Sequence, residues 1–274
     1  MALINNFLYH CSMKKILFLL LLIPSLVFSQ ELKDFAKESV LYKYMPTSSC
    51  GEIIDYNYYS VSFCEKYKLS EWSIHLLTKK RLLSDSHPRT NNFRQDPNLN
   101  GSDASIRNYK GSSYDRGHLV PAADMNFNKV GLSESFFMTN IVPQNPHFNR
   151  GPLKLLERKF REWTHNFDSI VVITGCIFND PFGSSVALEY IGPDEIIVPY
   201  LQYKVFIDIQ NRRSIAFFFN NDKTQPSLNQ TLFESTVAID YLESITGLDF
   251  FSKLPDEIEL MFEFDTGIDK LIKE

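Results

Sequence analysis

Glycine is scarce, with 11 residues in 274, and no Gly/Ser-rich or Pro-rich linker and no internal repeat divides the chain. That excludes a string of modules or a repeat array and favours one large domain. Long apolar runs are missing too: the most apolar stretch, residues 16–28, falls short of the roughly 20 residues needed to cross a bilayer. There are 4 cysteines, none in a CxxC pair, and beyond residue 29 no histidine lies within four positions of one. A zinc site of the usual spacing is thereby excluded. Overall basic charge is absent as well. The formal charge is −5, whereas chains that bind polyanions are often basic.

What is present begins with Met13-Lys14-Lys15 ahead of that apolar stretch, the charged start and apolar run of a secretory signal. Val27 and Ser29 loosely meet the small-residue cleavage pattern, which places the mature start near Gln30 and makes Met13 the true initiator. The expectation is a signal peptide over 1–29, a single domain over 30–274, a secreted or periplasmic protein, and no membrane contact after cleavage. An exported chain can hold disulfides. Cys50 and Cys64 would close a short loop and are the preferred pair, with Cys176 buried in a strand; three free thiols are the alternative.

The charge is unevenly spread. Between Lys79 and His118, eight Lys and Arg face four Asp, and between Asn149 and Arg161 five face Glu157 alone. From Glu234 to the end, eleven Asp and Glu face three Lys. A basic cleft on an acidic body is implied, although most such side chains on any surface are simply solvated.

The pattern predicts strands near 58–63 and over 169–178, 195–209 and 214–219, where β-branched and aromatic residues run together. Pro199 interrupts the third. Residues 70–77 read as strand or short helix, and 82–113 as a long polar loop of the kind that usually carries function. Gly151-Pro152 opens a helix whose Leu153, Leu156, Phe160 and Trp163 make a buried stripe. Residues 235–246 read as helix, or strand running into helix, ending at Gly247. The fold class is therefore α+β, with a mixed sheet core.

The densest chemistry lies at 114–121, YDRGHLVP. Asp115 can orient an imidazole, Arg116 suits a phosphate, and His118 can accept a proton. Glycine beside such a residue serves a positive φ or close approach to a ligand, so Gly117 suggests a tight turn or bulge that aims His118. Taken alone, the motif is equally a surface turn. Two further pieces follow: TNIVPQ at 139–144 and FNRGPLKLLE at 148–157. Asn140, Asn149 and Glu157 are oxygen donors of the kind a hard cation accepts, and Mg²⁺ keeps most of its waters, so few protein ligands suffice.

At these residues the chain resembles the DNA/RNA non-specific endonucleases of the ββα-metal, or His-Me finger, fold, a family that includes the endonuclease G group. Weaker matches extend the resemblance over nearly the whole chain beyond the leader. It implies that His118 is the general base, that Asn149 binds Mg²⁺ directly, with Mn²⁺ as a substitute, and that Glu157 reaches the metal through water. Arg116 would contact the scissile phosphate, Arg89 would be the second phosphate-binding arginine, and Asn140 would brace the site. Leu153 departs from the family, which usually carries Trp there. DNA and RNA would be held through phosphate by a monomer or homodimer. A catalytically impaired nucleic-acid-binding module is the alternative.

Overall fold

The computed structural model describes residues 40–183, 187–222 and 235–264. The proposed leader over 1–29 lies outside them. Two compact units divide the chain, Met1–Lys43 and Tyr44–Glu274, and the elements below belong to the second.

A seven-stranded antiparallel sheet forms its centre, in the order β1 (Glu52–Asp55), β2 (Tyr59–Cys64), β3 (Leu69–Thr78), β6 (Ser169–Ile177), β9 (Leu201–Asp208), β10 (Arg213–Asn220) and β11 (Thr236–Val237). Every residue of β9 is buried, because the sheet is covered on both faces. This explains why the central strands read as nearly continuous apolar runs. On one face lies helix α1 (Lys154–Thr164), with Leu156, Phe160 and Trp163 packed on Val172, Phe206 and Phe217. Burying each such side chain stabilises by about 1.5–3 kcal/mol. On the other, Tyr203 meets Phe250, and Ser214 Oγ donates to the carbonyl of Phe262 on helix α3 (Asp256–Phe264) at 2.6 Å. Helix α2 (Ile239–Thr246) ends on left-handed Gly247.

The α+β class holds, and most predicted elements fall where the pattern put them. Residues 70–77 are strand, part of β3. The predicted 195–209 strand is broken around Pro199: Ile196–Ile197 (β8) pairs with Tyr190–Ile191 (β7), and β9 begins afresh at Leu201. The helix at Gly151-Pro152 is also more complex. Helical turns start at Pro146, backbone at Gly151 leaves the helical region (φ −101, ψ −109), and Pro152 restarts the chain into α1. Cys50 and Cys64 are bonded, and Cys176 is free and buried.

Against the α1 face stands a small ribbon, β4 (Asp115–His118) paired antiparallel with β5 (Ile141–Gln144), which precedes α1. Strand, strand and helix thus carry all three motifs.

Candidate functional site

His118 closes strand β4 and does not sit on a turn. Gly117 keeps a negative φ and is needed for close approach: a Cβ there would fall 2.0 Å from Gln144 Cδ. Beyond His118 the ribbon is prolonged by Asn140, which is fully buried. Its backbone carbonyl accepts from Leu119 N at 2.9 Å, its Oδ1 accepts from Val120 N at 2.9 Å, and its Nδ2 donates to Val120 O and Ser135 O at 3.0 and 2.9 Å. Asn140 therefore fixes the chain that follows the imidazole, and it makes no hydrogen bond to the His118 ring.

The ring itself lies against Phe93 and Phe136, with centroids 5.4 and 5.0 Å away, and its Nε2 is buried with no hydrogen-bond partner. Burial first, then the charges of Arg89, Arg116 and Lys204, lower its pKa to about 3. The imidazole is neutral, hence a proton acceptor, at any pH near 7. Arg116 stacks over Phe93 at 4.2 Å and Arg89 over Phe136 at 5.1 Å, so both aromatic rings position a guanidinium beside the histidine. Arg94, the other arginine of the long loop, is committed elsewhere: it donates to Ser133 O at 2.9 Å and to Ser133 Oγ at 3.0 Å.

Asn149 stands at the entry to α1. Its Nδ2 donates to Asp115 Oδ2 at 2.8 Å, and Arg150 grips the same carboxylate, from Nε at 2.8 Å and Nη2 at 2.5 Å. Those partners hold the Asp115 pKa below its ordinary value against the opposing effect of burial. With Nδ2 engaged, the Asn149 Oδ1 is the end left to face a ligand. No hydrogen bond joins Asn149 to His118; they are tied through β4, whose first residue holds the amide and whose last is the imidazole. A cavity of about 570 Å³ lies between the long loop and the ribbon, lined by Arg89, Phe93, Lys110, Asp115, Arg116 and Asn149. Of the basic residues behind the expected cleft, Arg89, Lys110 and Arg116 line this cavity, and those of 150–161 do not.

Glu157, in the first turn of α1, is largely buried. Its pKa is raised, burial being the chief cause, while Lys204 opposes the shift. Its Oε1 lies 3.4 Å from Lys204 Nζ, and it is the charge that Arg89 feels. Nearby, Asp124 takes Arg161 Nη1 at 2.7 Å and His75 Nε2 at 3.0 Å. Lys204, Asp124 and His75 escaped the sequence reading, and Arg161 was read only as one of the basic residues of 149–161. Only Arg161 carried a signal, being one turn after Glu157.

A match to the description "DNA/RNA non-specific endonuclease" covers residues 37–257. The chain belongs to the DNA/RNA non-specific endonuclease family. Among relatives, the mitochondrial nuclease EXOG of Mus musculus is 27% identical over 81% of this chain and 62% of its own length. Human mitochondrial endonuclease G is 32% identical over 50% of this chain and 48% of its own, and a nuclease of Nostoc is 29% identical over 76% of each. The chain spans about three fifths of the length of the EXOG relatives. A crystal structure of an EndoG/EndoGI complex matches the fold with a TM-score of 0.69 at 23% identity, covering 79% of this chain and 91% of that one.

These names correct one expectation. The EXOG, endonuclease G and yeast relatives are mitochondrial nucleases, which overturns the reading of a secreted or periplasmic protein. The physical reason is that a charged start and an apolar stretch are a generic leader pattern and do not fix a destination.

Two results are expected from this geometry. Replacing Asp115 by alanine frees both Asn149 and Arg150, so the cation site that the resemblance implies at Asn149 should bind Mg²⁺ about 10- to 100-fold more weakly, as for other residues that orient a ligand; an unchanged Mg²⁺ titration contradicts that expectation. The depressed His118 pKa also sets a stability slope. Between about 3 and the ordinary 6.5 the unfolded chain binds a proton that the folded chain refuses, so stability rises with pH across that window. Melting temperature should drop on acidification from pH 7 to 5, and His118→Asn should reduce the drop. An equal drop in that variant contradicts the burial argument.

Proposed function

We propose that the unit from Tyr44 onward is a single metal-dependent endonuclease domain that hydrolyses phosphodiester bonds of DNA and RNA. The observation that carries this reading is the Asn149 amide, turned by Asp115 so that its oxygen is left for a hard cation beside a cavity lined with arginines. The donor set fits Mg²⁺ or Mn²⁺: an amide oxygen directly, and the Glu157 carboxylate through water.

The residues divide the work. Neutral His118 accepts the proton of the attacking water. Arg116 and Arg89 take the non-bridging phosphate oxygens and the charge that grows on them. A bound phosphate between these arginines offsets the cations that depress His118, which strengthens it as a base when substrate is present. The cation, when bound, supplies charge cover for the phosphorane and the departing oxygen. Contacts through phosphate give affinity without reading bases, which accommodates both DNA and RNA.

The test is digestion of supercoiled plasmid and of RNA by purified protein with Mg²⁺ and with EDTA. Cleavage of both polymers with Mg²⁺ and of neither in EDTA is expected. Cleavage in EDTA would contradict the metal reading, and cleavage of one polymer alone the breadth of substrate.

A further inference from the structure

Lys204 lies in the middle of strand β9 and is 1% exposed. A lysine ammonium so placed is costly unless its charge and all three protons are used. Here they are. Nζ donates to Thr174 Oγ1 on β6 at 2.8 Å and to the carbonyl of Leu119 at 3.3 Å, and lies 3.4 Å from Glu157 Oε1. Leu119 is the residue after His118, and Glu157 is on α1. The two halves of the site, ribbon and helix, come from segments 38 residues apart, and one ammonium anchored on the rigid central sheet touches both.

We propose that Lys204 is a positioning residue of the endonuclease site, its ammonium fixing the Glu157 carboxylate relative to the strand that carries His118. This rests on the reading of Glu157 as the group that reaches the cation through water. The neighbouring charges do not replace it: Asp124 repels Glu157, and Arg161, which attracts Glu157 more weakly than Lys204 does, has its short contact with Asp124. Without the lysine, Glu157 keeps no close cationic anchor on the sheet.

A purely structural ion pair and a positioning one differ in what Lys204→Met does. A buried pair replaced by apolar side chains is often neutral or stabilising, so folding alone is a weak discriminator and function is read separately. Lys204→Met, Glu157→Gln and the double variant are compared by melting temperature, by kcat and KM on a short duplex, and by Mn²⁺ titration followed by electron paramagnetic resonance. For K204M a fall in kcat of about 10- to 100-fold and a comparable weakening of Mn²⁺ binding are expected, with KM held within roughly threefold because the lysine does not touch substrate. In the E157Q background the same substitution should change kcat by less than roughly threefold, since the lysine acts through the carboxylate. If K204M does not fold, Lys204→Arg, which keeps the charge and moves it, takes its place under the same thresholds. Wild-type kcat or unchanged Mn²⁺ binding in the variant, or equal losses in both backgrounds, overturns the proposal. Full activity of E157Q overturns the reading of the site and the proposal together, whereas an inactive E157Q beside a wild-type-like K204M overturns the lysine alone.

Discussion

Replacing His118 by alanine should reduce turnover of plasmid DNA by about 10²- to 10⁴-fold, the range general bases supply, while the protein still folds and still binds the duplex. Binding survives because Arg89 and Arg116 are positioned by Phe136 and Phe93, not by the imidazole. Removing the ring leaves a void between Phe93 and Phe136 but also relieves a buried nitrogen that has no partner, so the cost to stability is expected to be modest. Turnover is followed by loss of supercoiled plasmid, and binding by anisotropy with a labelled duplex in EDTA. A variant that cuts within threefold of the original would remove His118 from the mechanism; one that no longer binds would make it a substrate contact.

The second large effect belongs to Asn149. Alanine there removes the oxygen assigned to the cation and leaves Asp115 to Arg150 alone. Turnover should fall by about 10²- to 10⁴-fold, since a bound cation supplies several kcal/mol of transition-state charge stabilisation. Unlike the His118 variant, this one should respond to metal: raising Mg²⁺ well above the usual requirement recovers part of the activity. The measurement is turnover against Mg²⁺ concentration for both variants. No recovery in either, or equal recovery in both, would contradict the division into base and ligand.

Much of this site was legible because its chemistry is written in three short, contiguous pieces. DRGH supplies the imidazole and an arginine, TNIVPQ the pairing strand, and the segment from Phe148 to Glu157 the helix entry with two oxygen donors. Local spacing could place those. It could not choose between Arg89 and Arg94, since both lie in a loop whose path depends on which aromatic each guanidinium meets: Arg94 stacks on Phe137 and Arg89 on Phe136. The charged layer beneath the site was beyond sequence reading. Lys204 sits between Tyr203 and Val205 in a strand read for its apolar content, His75 comes from another strand, and Asp124 from a short helix. Pairing across the sheet sets Thr174 opposite Lys204, and packing of the short helix brings Asp124 onto His75 and Arg161. The strands were readable from their apolar content, but the break at Pro199 and the kink at Gly151 each moved an element boundary, as proline and glycine do when the chain must change direction.

The most direct test of the account is the position of a bound cation in crystals soaked in Mn²⁺, located by anomalous scattering. A single strong peak beside the Asn149 amide oxygen, within the cavity lined by Arg89 and Arg116, is the predicted result. A peak only at the acidic cluster of Asp240, Glu243 and Glu263 on α2 and α3, with none at Asn149, would contradict it.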